Sequence, residues 1–359
     1  MKKKSKHFDL RQLRVIAVSL GTRYSGINAS MVDLLPEQAK HISIAVLGFN
    51  VPDGVRQITF REFFRYCHRG QWRVWHARRN VDMLAGLILR YIFRFKLILV
   101  FTSAAQRHHS WLTRFYYHHM SGVICPTEAA ASFLDRPSVV VSHGVNTEKF
   151  SPPRDRSSAW AKRGLGGRYG IGAFGRVRFR KGTEDFVDAM IRALPRRPEW
   201  TAVIIGETTK EFLLFKNQLQ DKIRGAGLED RIRFTGFIER QEDIAGWYRS
   251  LSVVVCPSRV EGFGLPALEA MASGCPVVAT RTGVWPQLIS GGQDGYLVPC
   301  ADTNALTVAI EKITEDPQRV NLMGQRALEK VTMQYRVQIE SDGIIAVYKE
   351  LFAKRGVSL

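Results

Sequence analysis

"VVVCPSRVEGFGLPALEAMASGCPVVAT", Val253 to Thr280, decides how the chain is read. A β-branched run ends near Cys256, a glycine-bearing turn follows, and a helix opens with Pro266 in its first turn. Proline is favoured there because the N–H it lacks would have had no helical partner anyway. A second apolar run, Cys275 to Thr280, closes the unit. Strand, helix and strand at this spacing read as a βαβ unit of a parallel sheet.

The same rhythm extends outward through "TAVIIG" (Thr201 to Gly206), "IRFTG" (Ile232 to Gly236) and "GYLVP" (Gly295 to Pro299). Between these runs, Phe186, Val187, Met190, Ile191 and Leu194 make one helical stripe, and Phe212, Phe215, Leu219 and Ile223 another. Fully apolar strands beside one-sided helices imply a sheet covered on both faces. The first half is less regular, with strands expected at Val15 to Leu20, Ile42 to Leu47, Arg73 to His76, Lys96 to Thr102, Gly122 to Cys125 and Val139 to Ser142. Between the halves, "NTEKFSPPRDRSSAWAKRG" (146–164) reads as a linker from Pro152-Pro153 and its polar run. A chain of 359 residues exceeds what one core usually supports, so two doubly wound α/β domains are expected.

Charge is uneven. Residues 1–150 hold 22 Lys and Arg against nine Asp and Glu, the remainder 30 against 24, and all nine histidines fall in the first part. That asymmetry favours an anionic partner for the first half: nucleic acid, acidic lipid or an acidic substrate. The most apolar window, Leu84 to Phe101, is broken by Arg90, Arg94 and Lys96, so no transmembrane helix is expected. The N-terminal apolar run Val15 to Leu20 is too short for a signal segment. Five cysteines without a C-x-x-C pair suggest neither zinc nor a disulfide framework and fit a reducing cytoplasm.

Two stretches carry chemistry. The helix N-terminus after Gly262 and Gly264 is a seat for a diphosphate, since the glycines admit a ligand to the backbone and the helix end is partially positive. Glu261 and Glu269 lie on either side of that seat and can accept hydrogen bonds from a polyol at each end of a bound molecule, which describes a nucleotide-sugar. The spacing alone also allows Glu269 to be a solvated helix residue and Glu261 a charge on the helix dipole. In "YGIGAFGRVRFRKGTEDF", Arg176 and Lys181 follow a strand end and can clamp a diphosphate; a merely basic loop with Arg178 and Arg180 is the other reading.

"FGRVRFRKG", "VIIGE", "FTGFI", "CPSRVEGFGLPALEAMASGCPVVAT" and "GYLVP" together resemble the retaining glycosyltransferases of family four, and the glutamates match that family's Glu-x7-Glu pattern. The first half, in "RYSGINASMVDLLP", "RVWHARRNVDMLAGLILR", "LVFTSAAQRHH" and "SHGVNTEKFSPP", resembles lipopolysaccharide core mannosyltransferases acting on Kdo-lipid A precursors. The resemblance implies the GT-B fold, two Rossmann-like doubly wound domains facing each other across a cleft. It implies an acceptor-binding domain over 1–150 and a nucleotide-sugar domain over 151–340, with a C-terminal helix at about 340–359 packing back onto the first.

The resemblance further implies retaining transfer of mannose from GDP-mannose to the Kdo region of lipid A by a cytoplasmic enzyme held peripherally at the inner membrane. A UDP-linked glucose or N-acetylglucosamine donor is the alternative, and a nucleic-acid-binding protein on a degenerate scaffold a third. By the same carry-over, Arg176 and Lys181 bind the diphosphate, Glu261 the donor sugar and Glu269 the ribose. The backbone of Gly262, Phe263, Gly264 and Leu265 holds phosphate and sugar, and Gly26 approaches the diphosphate from the other domain. Ser25-Gly26 stands where many members have Gly-Gly, and the family's donor-touching histidine has only His108 and His109 as later-placed counterparts.

For the acceptor, "RVWHARRN" supplies Arg73, His76, Arg78, Arg79 and Asn80, and "AAQRHH" supplies Gln106, Arg107, His108 and His109. Arginine forks suit the carboxylate and phosphate groups of Kdo and lipid A. No metal is expected, since Asp-x-Asp is missing where a donor-bound ion would sit and the cationic pair can replace its charge. Aromatics interleaved with bases in "FREFFRYCHRGQWRVW", "RYIFRFK" and "LTRFYYHH" read as core, as an interfacial surface on an anionic membrane or, least well, as a nucleic-acid stacking surface.

Overall fold

The computed structural model describes residues 9–22, 26–68 and 70–359. It divides into two units, one formed by residues up to Gly144 together with Val337–Leu359, the other by Val145–Arg336.

In the first unit the strands are β1 (Val15–Ser19), β2 (Ile44–Gly48), β3 (Arg56–Ile58), β4 (Arg73–Ala77), β5 (Leu97–Thr102), β6 (Gly122–Cys125) and β7 (Val139–Val140). They form one parallel sheet in the order β3-β2-β1-β4-β5-β6-β7. Alternate residues serve opposite cores. Val15 and Ala17 pack with Met31, Leu34 and Tyr348, whereas Ile16 and Val18 pack with Phe63, Trp75 and Met83. The C-terminal helix Val337–Ala353 contributes Ile344, Tyr348 and Phe352 to the first of these cores. The order reverses between β1 and β4, and the crevice beyond the carboxyl ends of such a pair is where doubly wound sheets bind ligands.

The second unit holds β8 (Tyr169–Phe174), β9 (Trp200–Ile205), β10 (Ile232–Gly236), β11 (Val253–Cys256), β12 (Val277–Thr280) and β13 (Gly295–Val298), all parallel in the order β10-β9-β8-β11-β12-β13. Val253 and Val255 enter one core, Val254 and Cys256 the other. The switch point lies between β8 and β11, whose following loops carry Arg176 and Lys181 on one side and Glu261 on the other.

The stretch 146–164 is not a linker. Phe150 and Trp160 are buried, and Arg156–Ala161 is a helix whose Asp155 cap accepts from the Ser157 amide at 2.9 Å. Arg156 donates to the carbonyls of Ser273 (2.7 Å) and Gly274 (3.1 Å), pinning the segment to the turn that leads into β12, an interior strand of the sheet. A Cβ on Gly170 would come 2.4 Å from the Trp160 ring, so the glycine in β8 makes room for this anchor. Two aromatic anchors outweigh the loop-like composition of the Pro-Pro run.

Candidate functional site

The second unit's site is built by two loops held against each other. After β8 the chain turns through Gly175 and Arg176 and tightens into a 3-10 turn, Phe179–Lys181, which ends at Gly182 in a left-handed conformation (φ 64°). A Cβ on Gly182 would fall 1.9 Å from the Pro257 carbonyl oxygen, so only glycine lets this loop touch the end of β11. Asp185 fixes the same approach through two bonds of 2.8 Å from Arg259, whose amide donates to the Arg180 carbonyl at 3.0 Å.

That clamp brings Lys181 to Glu261. Lys181 Nζ lies 2.5 Å from Glu261 Oε2, and both side chains are largely buried, 19% and 14% exposed. Glu261 Oε1 accepts from the Gly262 amide at 3.1 Å, and Ser258 Oγ reaches Oε2 at 3.5 Å. The turn continues through buried Phe263 to Gly264 (φ 111°), whose carbonyl accepts from Trp285 Nε1 at 3.1 Å. A Cβ on Gly264 would lie 2.2 Å from that indole nitrogen. Leu265–Ala272 then forms a helix with proline in its first turn, and its partially positive end follows directly on the loop that carries Glu261.

Glu269 is not a solvated helix residue. Its Oε2 accepts from Tyr248 Oη at 2.8 Å, and Tyr248 is wholly buried, stacked on Phe174 at 3.8 Å between ring centroids. Burial first, and the Glu269 charge second, push the Tyr248 hydroxyl well above its ordinary range, so it stays a donor. Sequence reasoning missed Tyr248 because a tyrosine on an amphipathic helix looks like core packing. It also missed Glu207, which pairs with Arg176 at 3.3 Å after β9. Arg178, read from sequence only as part of a basic loop, has its Nε buried without a hydrogen-bond partner. Burial, then the charges of Arg176 and Arg180, lower its pKa.

In the first unit, Arg78 and Arg79 stand at the carboxyl end of β4, beside the end of β1. Asp82, fully buried, accepts from the amides of Leu20 (3.2 Å) and Arg78 (3.3 Å), tying the two strand ends together. Gly21 leaves space that the Arg79 guanidinium fills, since a Cβ there would be 1.5 Å from Nη1. Arg78 is 8% exposed and its Nη1 has no hydrogen-bond partner. After β5, His109 Nε2 meets Ser103 Oγ at 3.1 Å, with burial and then Arg107 lowering its pKa; Arg107 and His108 are exposed, the latter edge-on to Phe133. Gly26 opens the helix Gly26–Gln38, while Ser25 lies outside the described residues.

Two expected acceptor residues serve the fold instead. Arg73 begins β4, at the opposite end of the strand from Arg78, and donates to the carbonyls of Gln71 (3.1 Å) and Cys67 (3.4 Å). His76 is 1% exposed, bonded to Tyr348 Oη at 2.5 Å and Thr102 Oγ1 at 2.7 Å. Among the described residues, no three His, Cys, Asp or Glu side chains converge as a metal site.

Residues 168–316 match the family described as "Glycosyl transferases group 1". The lipopolysaccharide core biosynthesis mannosyltransferase LpsB of Rhizobium meliloti (strain 1021) is 39% identical over 350 residues, 96% of this chain and 99% of that protein. The enzyme of the same description, LpcC, from Rhizobium leguminosarum bv. viciae is 42% identical over 347 residues, 96% and 98% of the two chains. Among solved structures, the C-terminal domain of a group 1 family protein (LpcC) from Francisella tularensis superposes with a TM-score of 0.53 at 44% identity, covering 54% of this chain and 99% of that one. Anabaena HepE, solved with UDP and glucose, superposes with a TM-score of 0.80 at 19% identity over 94% of this chain and all of its own. The fold of the two sheets is therefore GT-B.

Proposed function

The chain belongs to the group 1 glycosyltransferases, and we propose that it transfers mannose, with retention, from GDP-mannose to the Kdo region of a lipid A precursor. The names of the two rhizobial relatives support lipopolysaccharide core as the destination and mannose as the sugar. One observation carries the chemistry: Lys181 and Glu261 meet at 2.5 Å beside the helix that carries Glu269.

In this reading the Lys181–Glu261 pair is a resting contact that the donor divides. Lys181 turns to the diphosphate with Arg176, and Glu261 turns to the hexose hydroxyls it is fitted to accept from. The two cations and the helix end then stabilise charge developing on the departing GDP. The acceptor hydroxyl attacks from the face the diphosphate leaves, and a phosphate oxygen takes its proton. Glu269, with one oxygen held by Tyr248, accepts from the ribose. Gly262, Phe263, Gly264 and Leu265 offer backbone to the phosphates, with Gly26 in the same role. Arg78, Arg79, Arg107, His108 and His109 meet the acceptor's carboxylates and phosphates.

Calorimetric titration tests the donor half. GDP is expected to bind without added divalent metal, and Glu269→Ala to weaken it about tenfold, the loss of one hydrogen bond to a charged group. UDP binding in place of GDP would move the assignment to a UDP-hexose donor. Single-stranded nucleic acid binding with neither nucleotide would replace it.

A further inference from the structure

The second unit has a cavity of about 950 Å³ at the end of its sheet away from Glu261. Tyr169 and Trp200, which line it, are the first residues of β8 and β9, while Ser252 and Gly274 stand before β11 and β12. Arg176 and Glu261 follow the opposite, carboxyl ends of β8 and β11. The six residues of β8 separate the two ends by about 17 Å, so the cavity is not part of the donor seat.

Its walls are fixed by close packing. The helix Pro317–Gln334 meets the turn before β12 at Gly324, where a Cβ would fall 2.2 Å from the Gly274 carbonyl oxygen. The first turns of that helix make one side of the cavity. Pro152 and Pro153 make another, on the segment anchored by buried Trp160 and the Arg156 bonds. Tyr169 is steadied by buried Trp200, with ring centroids 4.9 Å apart. Walls of this kind leave little to order when a ligand enters, which lowers the cost of binding.

The charges around the cavity are already matched. Three arginines (154, 156 and 168) and three carboxylates (Asp155, Glu199 and Asp316) line it, so it carries no net charge. Asp155 and Asp316 cap helices, accepting from the Ser157 amide at 2.9 Å and the Gln318 amide at 2.8 Å, and Arg168 lies 3.8 Å from Glu199. A phosphorylated ligand would find no excess of positive charge there. What the cavity offers instead is neutral hydrogen bonding beside an aromatic ring. The side-chain amides of Asn321 and Gln325, four residues apart and so on one face of their helix, bond to none of the described residues. Ser252 is 7% exposed, and its hydroxyl likewise has no partner among them. Amides and hydroxyls both donate and accept, which suits the neighbouring hydroxyls of a sugar, and the apolar face of a hexose ring packs on tyrosine. The volume lies at the upper end of the range for small-ligand sites, about 300–1,000 Å³.

We propose that this cavity is a saccharide site separate from the transfer centre, taking an uncharged hexose or disaccharide through Asn321, Gln325 and Ser252 with a ring against Tyr169. The inference rests on the cavity and not on the identity of donor or acceptor. In an enzyme that transfers sugar, such a hold keeps a glycan at the protein between catalytic events, as a second binding module would.

Saturation-transfer NMR of the full chain, titrated with methyl α-mannoside and with maltose, tests this. Saturable binding in the millimolar range is expected, and it should persist in Glu261→Ala, which alters the donor seat alone. Asn321→Ala/Gln325→Ala should weaken it about tenfold or more, the loss of two hydrogen bonds. Circular dichroism should not change, because both positions are exposed and alanine favours helix. Ser252→Ala should cost about fivefold. Absence of saturable binding to either sugar, or binding undiminished in the double variant, would overturn the proposal. So would loss of binding in Glu261→Ala, which would put the sugar in the donor seat, or displacement by inorganic phosphate, which would make the cavity an anion site.

Discussion

Replacing Lys181 with alanine separates what the Lys181–Glu261 contact does for the fold from what it does for the reaction. A fully buried ion pair broken on one side costs about 3–5 kcal/mol, an exposed one about 0–1. This pair lies between, at 19% and 14% exposure, and Glu261 keeps the Gly262 amide and the Ser258 hydroxyl when Lys181 is lost. The expected loss of stability is therefore about 1–2 kcal/mol, and the same for Glu261→Ala. Because the two changes remove one contact, the double variant should be little less stable than either single. Against a typical total of about 5–15 kcal/mol the enzyme stays folded. Its kcat, however, should fall by about a hundredfold to a thousandfold, the usual effect of removing one group that stabilises transition-state charge. Urea unfolding beside steady-state kinetics reads both. Lys181→Ala turnover within about threefold of wild type, or a turnover loss fully explained by the unfolded fraction, would refute the reasoning.

Three further outcomes follow from the geometry. Tyr248→Phe removes the donor that orients Glu269, so calorimetry should show GDP bound about tenfold more weakly and the preference for GDP over its 2′- or 3′-deoxy analogue largely lost. Retention of that preference would make the tyrosine merely a packing residue. Gly182→Ala forces a side chain into a left-handed position 1.9 Å from the Pro257 carbonyl and should cost about 2 kcal/mol or more by denaturant unfolding, with donor binding falling alongside. His76 is held neutral, its pKa driven well below the ordinary imidazole value by burial and then by Arg78. Its unfolded form takes the proton first, so the stability it contributes is complete above about pH 6.5 and is lost as pH falls toward the folded value. Thermal melts across pH 5 to 8 should flatten in His76→Gln; an unchanged acid slope would assign that slope elsewhere.

Much of the second unit is legible in the sequence because β8, β9, β11 and β12 are buried on both faces and so read as unbroken apolar runs. β3 escapes because Arg56–Ile58 is three residues at a sheet edge with only Ile58 buried, too short and too polar to carry a period. The segment 146–164 misleads because loop and anchored segment share composition, and only the burial of Phe150 and Trp160 separates them. The same limit governs the cations of "RVWHARRN": Arg73 and Arg78 sit at opposite ends of one strand, and nothing in residue type says which end faces a ligand. Glu261, Glu269 and Lys181 could be picked out because strand, glycine turn and helix fix where they stand. Tyr248 and Glu207, which bond to Glu269 and Arg176, come from other strands' connections and are joined to them only by folding.

The central claim is tested most directly by incubating the protein with GDP-mannose and Kdo-lipid A and resolving the product by mass and anomeric configuration. The account predicts a lipid carrying one added hexose, α-linked as in the donor, and none with Glu261→Ala. An inverted linkage, or hexose addition from a UDP-sugar but not from GDP-mannose, would contradict it.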